Sequence, residues 1–102
     1  MNNDLSSIMP EPTHNDIERD CDELLRFRGF RVIHTHGPLN RPRESGIPDL
    51  LCYPRSSTVP LWVEVKAGKD KLSEKQAEFF ADMTERGVRC ILARSAKDVE
   101  KI

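Results

Sequence analysis

The chain has 102 residues, of which 37% are hydrophobic and 32% charged, and a formal net charge of −1. That length suits one domain with one modest core, and the near-neutral charge argues against a protein that coats nucleic acid through its overall field. No apolar run approaches the roughly 20 residues of a membrane span, and the opening residues lack the basic-then-apolar pattern of a secretory signal.

Residues 1–13, polar and carrying Pro10 and Pro12, read as a flexible lead-in to a single domain over 14–102. From Asn15 or Asp16 the spacing of Ile17, Cys21, Leu24 and Leu25 predicts a helix, which Gly29 closes. "FRVIHTH" (30–36) predicts a strand, and "GPLNRPRESG" (37–46) a loop. "IPDLLCY" (47–53) and "LWVEVKA" (61–67), joined by the turn "PRSSTVP", predict an antiparallel hairpin. A second helix is expected from Ser73 to Arg86, with Ala77, Phe80 and Met83 as its apolar stripe and Gly87 as its stop. "VRCILAR" is a last strand, able to pair in parallel with 61–67 across that helix, and the tail makes one further helical turn. The order is α-β-β-β-α-β, an α/β chain with a mixed sheet flanked by helices.

Three cysteines, Cys21, Cys52 and Cys90, are odd in number, widely spaced and set among apolar neighbours. They read as buried free thiols of a protein in a reducing, intracellular and cytoplasmic compartment.

Strand alternation sends Leu61, Val63 and Val65 to one face and Trp62, Glu64 and Lys66 to the other. On the partner arm Ile47, Asp49, Leu51 and Tyr53 share a face. A register that sets Asp49 across from Glu64, or diagonal to it, brings two carboxylates and an ammonium together. Carboxylates so close repel, and one keeps its proton unless a cation lies between them. Lys66 offsets one charge; a hard dication such as Mg²⁺, which takes one or two carboxylates plus water and phosphate oxygens, offsets both. His34 and His36, two residues apart, share a face and offer two zinc ligands, but no third stands nearby and a structural role is the better reading. Trp62 reads as packing at the strand end. "SEKQ" (73–76) is a capping box with Ser73 as N-cap.

Pro48-Asp49 followed by Glu64-Val65-Lys66 resembles the PD-(D/E)xK nuclease superfamily. "ERDCDELLRFRGF" (18–30) is similar to the opening helix of archaeal Holliday-junction resolvases and related nucleases, and "SGIPDLL" (45–51) to the segment entering their active-site hairpin. "EVKAGKDKLSEKQAEFFADMTERG" (64–87) closely resembles the VRR-NUC branch, and the likeness runs from about residue 14 to 99.

The resemblance implies a restriction-endonuclease-like core and a Mg²⁺- or Mn²⁺-dependent DNA endonuclease. It gives Asp49, Glu64 and the Val65 carbonyl as metal ligands, with Glu18 reaching in from the first helix as a third carboxylate. Many VRR-NUC sequences carry an acid nearer the helix start, where this chain has His14, so which of His14 and Glu18 serves the metal stays open. Lys66 would orient or deprotonate the attacking water, or offset charge on the phosphate. Gln76 would stand beside the metal as a catalytic residue, or serve only as the helix cap. Lys69 and Lys71, in the turn after Lys66, and Arg41 and Arg43, in the long loop, would contact DNA phosphates. With no room for a base-reading domain, shape readout of branched DNA by a homodimer is expected, with no organic cofactor and no membrane. The alternatives are a nicking or single-strand nuclease of a phage or mobile-element replication system, and a DNA-binding module that has lost catalysis.

Overall fold

The structure, a computed structural model, describes residues 10–37 and 44–102. Most of the polar lead-in (1–9) lies outside the described residues, as do Arg41 and Arg43.

The first helix, α1 (His14–Phe27), starts slightly ahead of the expected position because Thr13 builds a capping box. The Asp16 backbone N–H donates to Thr13 Oγ1 (3.1 Å), and Asp16 Oδ2 accepts from the Thr13 backbone N–H (3.0 Å). Two of the four N–H groups orphaned at a helix start are satisfied in this way. Ile17, Cys21 and Leu25, four residues apart, form its buried stripe. Arg28 is the C-cap, and Gly29 follows at φ 91°, a left-handed conformation that ends the helix as expected.

Four strands form one sheet in the order β1 (Arg31–His34), β2 (Leu50–Tyr53), β3 (Leu61–Val65) and β4 (Arg89–Ala93). Neighbours pair antiparallel, antiparallel and then parallel, the last through α2 (Glu74–Glu85). This is the mixed sheet flanked by helices that the element order predicts. Each strand is shorter than its apolar run: "IPD" lies ahead of β2 and Lys66-Ala67 beyond β3.

The face toward α1 holds the core, with Val32, Leu50, Cys52, Leu61, Val63, Val65 and Ala93 packed on Ile17, Cys21 and Leu25. A short helix, α3 (Lys97–Glu100), closes it with buried Val99. All three cysteines are free thiols, with Cys21 and Cys52 fully buried and Cys90 half-buried. Burial pushes Cys21 up to about 11 and Cys52 to about 12, so neither offers a thiolate at neutral pH. No described helix is long and apolar enough to cross a membrane.

The opposite face is covered differently. Helix α2 has no fully buried residue and packs against β4. Of the expected stripe, Phe80 and Met83 are half-buried but Ala77 is exposed. Phe79 makes the contact that sequence spacing did not single out, meeting Trp62 edge-on at 5.1 Å. Such a pair contributes about 0.5–1.5 kcal/mol beyond its area. The β1–β2 half of this face stays open, with Ile33 39% and Tyr53 37% exposed.

Gly46 joins the two halves of the fold. It has φ +89°, and a Cβ there would stand 2.5 Å from the Lys75 carbonyl oxygen and 3.1 Å from the Gln76 nitrogen. The chain entering β2 therefore lies directly on the first turn of α2. Gly68 also has positive φ (+56°), but a Cβ there would meet open space. Gly68→Ala is expected to lose only the left-handed backbone preference, about 1–2 kcal/mol. Gly46→Ala adds a backbone clash and is expected to lose more. Urea unfolding of the two variants checks the order; equal losses would refute the close approach.

Candidate active site

The β2–β3 register pairs Leu50 with Val63, so continuing it by one residue sets Asp49 opposite Glu64. Both are nearly buried, Asp49 8% and Glu64 3% exposed, where an isolated charge is strongly disfavoured. Alternation along β3 and the hairpin register thus deliver the two carboxylates together.

Asp49 is held from three sides. Its backbone carbonyl accepts from the Thr35 N–H (2.9 Å) and the Thr35 hydroxyl (3.1 Å), extending the β1–β2 ladder past the strand ends. Its Oδ2 accepts from the Val65 backbone N–H at 2.8 Å, so the side chain also ties the end of β3. The same oxygen lies 3.2 Å from His14 Nε2, at the first residue of α1. Thr35 and His14 fix the position of Asp49, and neither contact has a local signal in the sequence.

Glu64 lies at the centre of a second set. Its Oε2 is 3.6 Å from Lys66 Nζ and accepts from Gln76 Nε2 at 3.1 Å. Gln76 caps its helix at the same time: its Oε1 accepts from the Ser73 N–H (2.8 Å), and its own N–H donates to Ser73 Oγ (3.1 Å). Gln76 therefore caps its helix and touches Glu64 at once, through different atoms of one amide. Glu64 Oε1 is buried without a hydrogen-bond partner among the described residues. Burial first, and the negative charge of Asp49 second, push the Glu64 carboxyl up to about 7, with Lys66 and His14 pulling the other way.

Helix α1 supplies the third part. His14 and Glu18, one turn apart, and Asp49 each offer a ligand atom, and these atoms lie within 4.8 Å of one another. Both helix candidates thus stand beside Asp49. Glu64 is outside this triad, with Oε2 turned to Lys66 and Gln76. The set still suits a dication. Carboxylates face one another across a strand pair, one is driven toward its protonated form, and a buried carboxylate oxygen is unsatisfied.

Glu18 is also anchored from the sheet. His34 Nδ1 lies 2.9 Å from Glu18 Oε2, and His34 Nε2 lies 3.0 Å from Asp22 Oδ1. Burial opposes a charge on His34, but hydrogen bonds to Asp22 and Glu18 outweigh it and raise its pKa. His36 instead donates to the Ile47 carbonyl (2.9 Å). Among the described residues, neither of these two histidines is part of the group formed by His14, Glu18 and Asp49. Lys69 and Lys71 are exposed beyond Lys66, in a turn that Arg94 braces by donating to the Gly68 carbonyl (2.8 Å).

The raised Glu64 pKa makes a stability prediction for the metal-free protein. A carboxyl whose folded pKa exceeds its unfolded value stabilises the fold below the unfolded pKa, and this is lost as pH rises through the folded one. For Glu64 the loss runs from about 4.5 to about 7. In the presence of chelator, Glu64→Gln is expected to melt higher than the parent at pH 8, by up to about 3 kcal/mol in stability, and to match it near pH 4. A constant difference across that range would contradict the electrostatic origin.

Comparison with known proteins agrees with this geometry. The sequence model of the VRR-NUC domain matches residues 30–97, which span two thirds of the chain. Among solved structures, one described as a VRR_NUC domain superposes with a TM-score of 0.70 at 28% identity, covering 86% of this chain and 90% of that one. No curated protein matches. With the family model matched over two thirds of its length and the fold shared with a solved member, the chain belongs to the VRR-NUC domain family.

Proposed function

We propose that this chain is a metal-dependent endonuclease that hydrolyses DNA phosphodiester bonds, acting through residues 14–102 as one nuclease domain. The observation that carries this reading is the meeting of Asp49 with His14 and Glu18 on one side and with Glu64, Lys66 and Gln76 on the other. A DNA-binding module without catalysis has no use for an acid–base set of this kind.

When bound, Mg²⁺ or Mn²⁺ supplies positive charge at the scissile phosphate and makes water more acidic. Asp49, Glu18 and Glu64 would hold that charge in place, with the Val65 carbonyl as a backbone ligand. Lys66, 3.6 Å from Glu64, would orient the attacking water or offset charge developing on the phosphate. Gln76, fixed by its cap, keeps the Glu64 carboxylate from rotating. Lys69 and Lys71 take phosphates of the strand as it leaves the site, and Arg41 and Arg43 grip the backbone from the loop.

The favoured substrate is branched DNA such as a four-way junction, read by shape, in a cytoplasmic setting that keeps the three thiols reduced. Two matched cuts call for a homodimer. Its support is the open half of the sheet, where Ile33 and Tyr53 share a face that α2 leaves uncovered.

The purified protein is expected to cut a panel of four-way, flap, nicked, single-stranded and linear DNA only with Mg²⁺ or Mn²⁺, and the four-way junction fastest. Asp49→Asn and Lys66→Ala are each expected to lose about 10²-fold or more in rate while keeping the fold. Undiminished cutting by either variant refutes the site, and faster cutting of single strands points to the nicking alternative. In sedimentation at micromolar concentration the protein is expected to run as a dimer and Ile33→Lys as a monomer; a monomeric parent refutes the assembly.

A further inference from the structure

The donor set on α1 is unusual for a Mg²⁺ site, because one of its three ligand atoms is an imidazole nitrogen. Mg²⁺ prefers all-oxygen octahedral surroundings and sheds water reluctantly, whereas first-row transition dications accept nitrogen readily. His14 is well placed to coordinate. It is the first helical residue, held there by the Thr13–Asp16 capping box, and its side chain is 43% exposed, so an ion can reach it. It lies one turn from Glu18 on the same helix face, and its Nε2 is 3.2 Å from Asp49 Oδ2. The two atoms are within hydrogen-bond distance, a spacing that a metal ion can bridge.

A second observation points to a ligand at the same place. Glu64, 3% exposed and opposite Asp49, keeps Oε1 buried with no partner among the described residues. An acceptor left unsatisfied there is costly unless a cation approaches it. The other histidines do not compete for the site, since His34 faces Glu18 and Asp22 and His36 the Ile47 carbonyl.

We propose that His14 is a direct ligand of the catalytic cation and tunes the site toward a transition-metal dication, with Mn²⁺ bound in preference to Mg²⁺. This rests on the metal-dependent reading given above and adds the identity of the ion.

The test reads binding rather than cutting. Mn²⁺ and Mg²⁺ affinities are measured by calorimetry on the full chain, and nitrogen coordination by ¹⁴N modulation in the electron spin echo of bound Mn²⁺. The parent is expected to show ¹⁴N modulation, and His36→Gln to keep it. His14→Glu and His14→Ala are expected to abolish it, and His14→Glu to narrow the Mn²⁺-to-Mg²⁺ affinity ratio by about tenfold, the scale on which single changes around a metal site act. Bound Mn²⁺ without ¹⁴N modulation, or a ratio unchanged in His14→Glu, overturns the inference and leaves the nuclease reading standing. Unaltered Mn²⁺ binding by Asp49→Ala instead overturns the metal site on which both rest.

Discussion

Two carboxylates that would repel in isolation are forced together by a strand register, and the surrounding structure is organised around that repulsion. Asp49 and Glu64 face each other at the end of the β2–β3 pair, both nearly inaccessible to water. Everything nearby offsets some of the penalty. Asp49 accepts from a backbone N–H and touches an imidazole, while Glu64 faces an ammonium and accepts from an amide. These partners leave Glu64 strained toward protonation and one of its oxygens unsatisfied. That incomplete satisfaction by protein groups alone is what the proposed cation would relieve.

The fold supplies this arrangement from three separate directions. The hairpin fixes the pair through main-chain register, which a side chain cannot alter. Helix α1 approaches from the core side and brings His14 and Glu18, one turn apart, to Asp49. Helix α2 approaches from the other face, and Gly46 lets its first turn lie on the chain entering β2. The half of the domain that packs best, around Val63, Val65 and α1, is the half that must not move if the carboxylates are to stay aligned.

Much of this was legible in the sequence, for identifiable reasons. Alternation in "LWVEVK" separates the apolar face from the Glu64–Lys66 face without reference to any partner, and the turn at 54–60 restricts how the arms can pair. The capping box at Ser73 is likewise a local pattern. What the sequence hid was long-range or slight. Thr35 steadies Asp49 across fourteen residues of chain, and Phe79 rather than Ala77 meets the sheet because the helix is rotated by its contact with Trp62. The Thr13–Asp16 box uses Asp where Glu or Gln is the usual signature, so the sequence pattern places the helix start a residue or two late. It leaves His14 and Glu18 as alternatives because a sequence cannot show that both stand beside Asp49.

The amide of Gln76 has a consequence for which residue the position tolerates. Capping needs only the oxygen, so Glu would close the helix as well as Gln does. The nitrogen, however, is the atom that faces Glu64. A glutamate there would aim a third negative oxygen at a carboxylate that already resists ionisation, so two residues equivalent for the helix are opposites for the pocket. The helix start and the carboxylate pair thus share one side chain, and the pair decides its chemistry.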